Sequence, residues 1–336
     1  MTKLKNCLLK KDSSCFPVWF MRQEGRYLPE FREIRSKNPN FIKLCLNSSL
    51  SSEITLQPLK RFNLDAAIIF SDILMVPYGL GQEVNFEKNK GPILSEFDIK
   101  YFSDNNKNSF TQKLNPIYEA IKITRNRLSK DKSLISFIGA PWTLIVYMLG
   151  LKVEKDQIDK KKLEKLKPEI QIILNSIIEY LCLHIINQVK AGADVVQVFD
   201  SWAGLIPEEN LFEYCYEPNK KIANFCKKNN IPIICFPRGI KKNYLTFAKT
   251  VNPDCISLDY DIDPLWAKIN LEGFCLQGGM DPKTLFREEN EIFKEVDKFL
   301  NIFKNHPYIF NLGHGLLPKT DPNTLQKVIE RVNNFK

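Results

Sequence analysis

Short apolar runs alternate with longer amphipathic stretches along nearly the whole chain, and that alternation predicts the fold. Runs of strand length lie at 17–21 (PVWFM), 66–71 (AAIIFS), 134–138 (LISFI), 194–199 (DVVQVF), 231–236 (IPIICF), 254–258 (DCISL), 273–278 (GFCLQG) and 308–312 (YIFNL). Between and after them, apolar residues recur at three- and four-residue spacing over 49–62, 112–129, 169–190, 208–229, 241–250, 263–270, 284–303 and 322–334, which predicts helices. The short runs are apolar almost throughout instead of alternating, as expected of parallel strands buried on both faces. Eight strand-then-helix units predict an α/β protein, a (β/α)8 TIM barrel with its active-site cleft at the C-terminal ends of the strands. A doubly wound open sheet is the competing reading. It would carry a Gly-rich phosphate turn after its first strand, where this chain has MRQEGRYLP with a single glycine.

The chain has 336 residues, and no Gly-, Ser- or Pro-rich linker divides it. A single barrel domain with an N-terminal extension over 1–16 fits that length. Two insertions break the rhythm, 77–111 and the lysine-rich 150–167, and long loops in a compact domain are usually lids or binding segments. No apolar run reaches the roughly 20 residues of a membrane span, so none is expected. The first residues, MTKLKNCLLKKDSSCF, lack the apolar core of a secretory signal, which predicts a cytoplasmic protein. Nine cysteines, scattered without a CxxC, read as reduced core residues. The net charge of +9 suits an acidic ligand. Because the lysines are spread along the chain, they do not predict a nucleic-acid partner.

Candidate chemistry gathers at the ends of the apolar runs. The first run ends in Arg-Gln-x-Gly-Arg and delivers Arg22 and Arg26 into a turn. Guanidinium groups fork onto carboxylate or phosphate, so the pair suggests a ligand with more than one acid group. The alternative is that both arginines pair with Glu24, Glu30 and Glu33 on a solvated face. Asp72 follows IIFS, where a carboxylate needs donors or else serves to cap the next helix. Tyr147 (in WTLIVYM), Ser201 (FDSWAG) and His314 (NLGHGL) each follow a strand-like run and can donate to carboxylates; their plainer readings are a core aromatic, a helix N-cap and a loop histidine. Gly313 and Gly315 around His314 would let backbone approach a ligand. His184 and His306 read as structural. Phe20, Met21, Phe70, Ile73 and Phe199 adjoin these positions and could wall a cleft. No P-loop, GxGxxG, GxSxG or zinc-spaced His and Cys set is present, so no cofactor or metal is expected.

Residues 17–32, PVWFMRQEGRYLPEFR, closely resemble the N-terminal signature of the uroporphyrinogen decarboxylase family, PVWxMRQAGRYLPEYR. The resemblance continues in order through IIFSDIL (68–74), GAPWTL (139–144), VFDSWAG (198–204), QGGMDP (277–282) and NLGHG (311–315). It implies cofactor-independent loss of CO₂ from the four acetates of uroporphyrinogen III in a TIM-barrel homodimer whose clefts face one another. It implies substrate-binding roles for Arg22, Gln23, Arg26, Asp72, Tyr147, Ser201 and His314, with Asp72 and Arg22 catalytic and Asp72 gathering the pyrrole N–H groups. Two departures stand out. YMLGLKVEKDQ replaces the family's Gly-rich EGGxSKxF element, and Glu24 replaces a small residue. A carboxylate beside two anion-binding arginines would weaken them, so Glu24 is expected to face solvent. Two further readings are a zinc-dependent corrinoid methyltransferase of the same superfamily, which would need a His-x-Cys that the chain lacks, and a non-catalytic tetrapyrrole-binding protein.

Overall fold

The computed structural model describes residues 1–87, 91–98, 102, 107–153 and 157–335. Seven of the eight predicted runs pair as one parallel sheet. Its strands are β1 (Ala66–Ile68), β4 (Ser133–Gly139), β5 (Val195–Asp200), β6 (Ile233–Pro237), β7 (Cys255–Leu258), β8 (Cys275–Gly278) and β9 (Tyr308–Ile309), hydrogen-bonded in that order. Two further strands, β2 (Val84–Glu87) and β3 (Gly91–Leu94), form a separate antiparallel hairpin in the first insertion. The sheet is curled. Side chains from every one of its strands, among them Ala66, Ile135, Val195, Ile234, Cys255, Cys275 and Ile309, meet in one buried cluster on its inner face. Helices cover the outer face, and their apolar stripes supply the larger core.

Aspartates standing one residue before a strand set the register. Asp65, Asp194 and Asp254 each accept the backbone N–H at the start of the neighbouring segment, from Val18, Leu134 and Ile233, all at 2.9 Å. A backbone N–H at a sheet rim has no ladder partner, and the carboxylate satisfies it. These acids also hold the amino-terminal helix Lys3–Lys10. Lys3 pairs with Asp65 at 3.3 Å and Lys5 with Asp194 at 3.6 Å, while Lys11 donates to the Asp254 carbonyl at 2.8 Å. Leu4, Cys7 and Leu8 on the same helix are buried in the inner cluster beneath the sheet. The first 16 residues thus include a plug for the N-terminal end of the sheet.

Four sequence expectations need correction. The first run, 17–21, is not a regular strand: Val18 forms a single parallel bridge to Phe310, and the turn begins at Met21. Phe20 joins the fully buried outer core, edge-on to Phe310, and not the cleft wall. The helix expected over 208–229 is divided into a 3₁₀ turn (Glu208–Asn210), a π turn (Phe212–Tyr216) and an α-helix (Glu217–Lys228). Pro218 explains the break, since it has no N–H to donate and its ring needs the room that a wider turn provides. The insertions are not bare loops either. The first carries the hairpin and the short helix Met75–Leu80 runs into it, while the second carries the helix Lys160–Lys165. Residues 88–90, 99–101, 103–106 and 154–156 of these insertions lie outside the described residues.

The helix Lys167–Lys190 is long and apolar enough to cross a membrane. Its apolar stripe from Ile170 to Ile185 is instead packed into the core, where His184 accepts or shares a proton with the Tyr118 hydroxyl at 2.9 Å. Burial holds the His184 ring neutral, its pKa lowered to about 3.

Candidate active site

At the C-terminal ends of the strands lies a cavity of about 900 Å³. Its floor is apolar, because inward-facing residues at the last turns of three adjacent strands are phenylalanines. Phe137, Phe199 and Phe236 pack edge to face, with ring centroids 5.6 and 6.5 Å apart. Met21, Phe70 and Ile73 complete the apolar wall, as the sequence predicts for those three and for Phe199.

The polar wall comes from the ends of separate strands. Arg22, Arg26, Asp72, Tyr147, Ser201 and His314 all line this one cavity, although up to about 290 residues of sequence separate them. Gln23 does not. Its side chain is fully buried, the carbonyl oxygen accepting from Phe20 N–H at 3.0 Å and the amide donating to the Ala66 carbonyl at 3.1 Å. It ties the arginine turn to β1 and touches no ligand space.

Arg22 sits in the left-handed region at φ 61°, uncommon for a residue with a side chain. The turn is fixed from two sides: Met21 N–H donates to the Asn311 side chain at 3.2 Å, and Leu316 N–H donates to the Met21 carbonyl at 2.9 Å. Its guanidinium stem lies over Gly315. A Cβ added there would come within 2.5 Å of Arg22 Cδ. Crowding lowers the proton affinity of Arg22, mainly through burial and then through the charge of Arg26, with Asp72 opposing.

Asp72 is the acid at the centre. One oxygen accepts the Leu74 N–H at 2.8 Å, closing a turn that leads into the helix Met75–Leu80; that helix has no side-chain cap, so the plainer capping reading fails. Burial raises its pKa to about 6, against the opposing pull of the Leu74 N–H and of Arg22. His314 is pushed the other way, to about 4, by burial and by the charges of Arg22 and Arg238, so the imidazole is neutral near pH 7. Burial raises the Tyr147 hydroxyl, which stays protonated as a donor. Ser201 is positioned from behind. Asp200 accepts from Thr143 at 2.8 Å and from Asn219 at 3.1 Å, and the Thr143 hydroxyl accepts the Trp202 N–H at 3.1 Å.

Four arginines line the cavity, Arg22, Arg26, Arg35 and Arg238, and none forms an ion pair with a protein carboxylate among the described residues. The reading in which Arg22 and Arg26 pair with Glu24, Glu30 and Glu33 fails: Glu30 pairs with Arg61 at 3.0 Å and Glu33 with Lys37 at 2.7 Å. Arg35 and Arg238 are absent from the sequence-level candidates. Arg35 lies on the helix Pro29–Lys37, and no motif of the sequence singles it out. Arg238 carried a signal, since CFPRG repeats the apolar run followed by Arg and Gly that singled out Arg22.

Glu24 is the correction with a consequence. It does not face solvent: it lines the cavity, and its Oε2 is buried without a hydrogen-bond partner. Burial lifts its pKa well above the usual 4.5, and neither Arg22 nor Arg26 stands close enough to pull it back. A carboxyl held toward its neutral form takes no charge from the arginines. Native protein then binds this proton more tightly than unfolded chain, so Glu24 makes stability fall as pH rises above about 4.5. Glu24→Ala is expected to be more stable than the parent by about 1 kcal/mol at pH 7.5, with the gain shrinking toward pH 4.5. Urea unfolding at both pH values checks this, and a variant less stable than the parent at pH 7.5 refutes it.

The sequence model of the family described as "Uroporphyrinogen decarboxylase (URO-D)" matches residues 1–335. The chain belongs to the uroporphyrinogen decarboxylase family. Curated relatives that share its length include uroporphyrinogen decarboxylases of Rickettsia bellii, 41% identical over 100% of this chain and 99% of the relative, and of Jannaschia sp., 39% identical over 99% and 98%. Among solved structures, a methyltransferase from Methanosarcina mazei superposes with a TM-score of 0.82 at 16% identity, covering 100% of this chain and 99% of its own. At that identity the likeness concerns the fold alone. Among the described residues no group of three or more His, Cys, Asp or Glu could hold a metal ion; the cavity of this member of the uroporphyrinogen decarboxylase family sets Asp72 and Glu24 among four arginines.

Proposed function

We propose that this chain decarboxylates the four acetate side chains of uroporphyrinogen III to methyls, giving coproporphyrinogen III without a cofactor. Family membership supports the reading, and one observation carries it: the partly satisfied Asp72 carboxyl shares a cavity over an aromatic floor with four guanidinium groups that form no ion pair among the described residues, while burial holds the other acid, Glu24, toward its neutral form. A porphyrinogen has the complementary pattern, with N–H donors at its centre, carboxylates around its rim and flat apolar faces. The free oxygen of Asp72 would accept pyrrole N–H groups, while Arg22 and Arg26 hold carboxylates and Tyr147, Ser201 and His314 add donors.

In each cycle a proton adds to the pyrrole α-carbon and makes an iminium-like cation. The C–C bond to the acetate carboxylate breaks, CO₂ leaves, and the electron pair flows into the cationic ring. A proton then adds at the exocyclic carbon and the α-proton is lost, so one acetate and one proton become a methyl and CO₂. Asp72 stabilises the cation by charge. Arg22, made more acidic than an ordinary arginine by burial and then by the charge of Arg26, would take part in proton delivery.

The same reading extends to the assembly. Pro17–Trp19 stands between β9 and β1, with Phe310 N–H donating to the Pro17 carbonyl and Asp65 N–H to that of Val18, and would close a (β/α)8 barrel as its eighth member. A single catalytic domain, active in the cytoplasm as a homodimer with facing clefts, completes the proposal; sedimentation as a monomer at micromolar concentration would count against the dimer. The function is tested by incubating chelator-treated protein with uroporphyrinogen under reducing conditions. Release of CO₂ and stepwise appearance of porphyrinogens with fewer carboxylates is the expected result, and turnover that appears only after adding zinc or a nucleotide would overturn it.

A further inference from the structure

The cavity holds a cation to which neither the motifs nor the mechanism gives a task. Arg238 follows β6, and its backbone is fixed on both sides, its N–H donating to the Asp200 carbonyl at 3.1 Å and its carbonyl accepting from Gly204 at 2.9 Å. The next residue, Gly239, has φ +84° and lies against Gly204 so closely that a Cβ on Gly204 would meet its Cα at 2.8 Å. The loop therefore cannot retreat from the cavity. The Arg238 side chain is half-buried on the cavity wall and makes no hydrogen bond or ion pair among the described residues. Its charge reaches both Arg22 and His314, whereas Asp72 senses Arg22 and not Arg238. A guanidinium held among like charges without a counter-ion is unfavourable until an anion arrives.

We infer that Arg238 grips a propionate carboxylate of the porphyrinogen, one of those that survive the reaction. The inference rests on the decarboxylase reading. It follows from where charge goes: a guanidinium forked onto the departing acetate would stabilise the ground state and lose its hold as CO₂ forms, which raises the barrier. On a propionate the same fork holds ground and transition states alike, lowering KM without changing kcat.

Arg238→Gln and Arg238→Lys are compared with the parent on uroporphyrinogen, and coproporphyrinogen, which keeps the propionates and has no acetates, is titrated as a competitive inhibitor. In Arg238→Gln the KM and the inhibition constant are expected to rise together by roughly ten- to hundredfold with kcat nearly unchanged. Lysine, with charge but no fork, recovers part of the loss. A raised KM with an unchanged inhibition constant would assign Arg238 to an acetate and overturn the inference, as would a fall in kcat alone or no change in either constant. Arg238→Lys keeps the test open if the glutamine variant fails to fold. Turnover by the parent in the same assay tests the decarboxylase reading separately.

Discussion

Asp72→Asn loses about three orders of magnitude in turnover while the protein stays folded. A carboxylate ~4 Å from a protonated pyrrole, at an effective dielectric of ~20, contributes about 4 kcal/mol, equivalent to ~10³ in rate. The asparagine carbonyl oxygen can still accept the Leu74 N–H that the native side chain accepts at 2.8 Å, so the turn into Met75–Leu80 survives. Stability at pH 7 should not fall either. An acid whose pKa is raised in the folded state makes stability drop as pH rises from its unfolded value toward about 6, and the variant is free of that loss. Asp72→Glu keeps the charge but displaces it by about 1 Å, which costs ~10². The parent carries a matching pH signature: kcat/KM falls about tenfold per pH unit below about 6 as Asp72 takes up its proton. Single-turnover rates, thermal melts and a pH profile check these results together. Turnover by folded Asp72→Asn near the parent rate would sink the charge mechanism while leaving the family assignment standing.

Gly315→Ala loses about a hundredfold in kcat/KM with little change in melting temperature. The added methyl would overlap Arg22 Cδ at 2.5 Å and Cγ at 2.7 Å. Those atoms belong to a stem that can swing, so the fold tolerates the methyl, but the guanidinium is carried off its station and misplacement by about 1 Å is worth ~10². Gly313→Ala is the informative contrast. Its Cβ would meet the Tyr260 backbone nitrogen at 2.3 Å, which no rotamer change relieves, so this variant loses melting temperature first. Equal melting and equal activity in the two variants would show that neither glycine is held by the contact assigned to it.

Those two glycines mark the boundary of what sequence determines here. NLGHG reads as a place where backbone approaches a ligand, and Gly315 does line the cavity; only the structure shows the second reason for each glycine, the Arg22 stem over Gly315 and the Tyr260 backbone against Gly313. The pattern of apolar runs was sufficient for the parallel sheet and for seven of its strands, because burial on both faces leaves a mark in each run independently. It overcalled 17–21, since an apolar run with room for one bridge looks the same as one that pairs along its length. Arg22, Arg26, Asp72, Tyr147, Ser201 and His314 were each legible from local motifs, and the curled sheet then brought them to one cavity.

The surroundings of Gln23, Glu24 and Arg238 were decided by tertiary structure. Whether a polar side chain in a turn points to ligand, core or water depends on which distant backbone meets it. Gln23 found the Ala66 carbonyl, Glu24 found a pocket without a donor for its Oε2, and Arg238 found a cavity wall on which it has no ion-pair partner among the described residues. Sequence determines which groups a chain has available and which elements carry them. The partners of each group, and therefore its charge state and its task, follow from contacts between residues far apart in the chain, and local spacing holds no record of those.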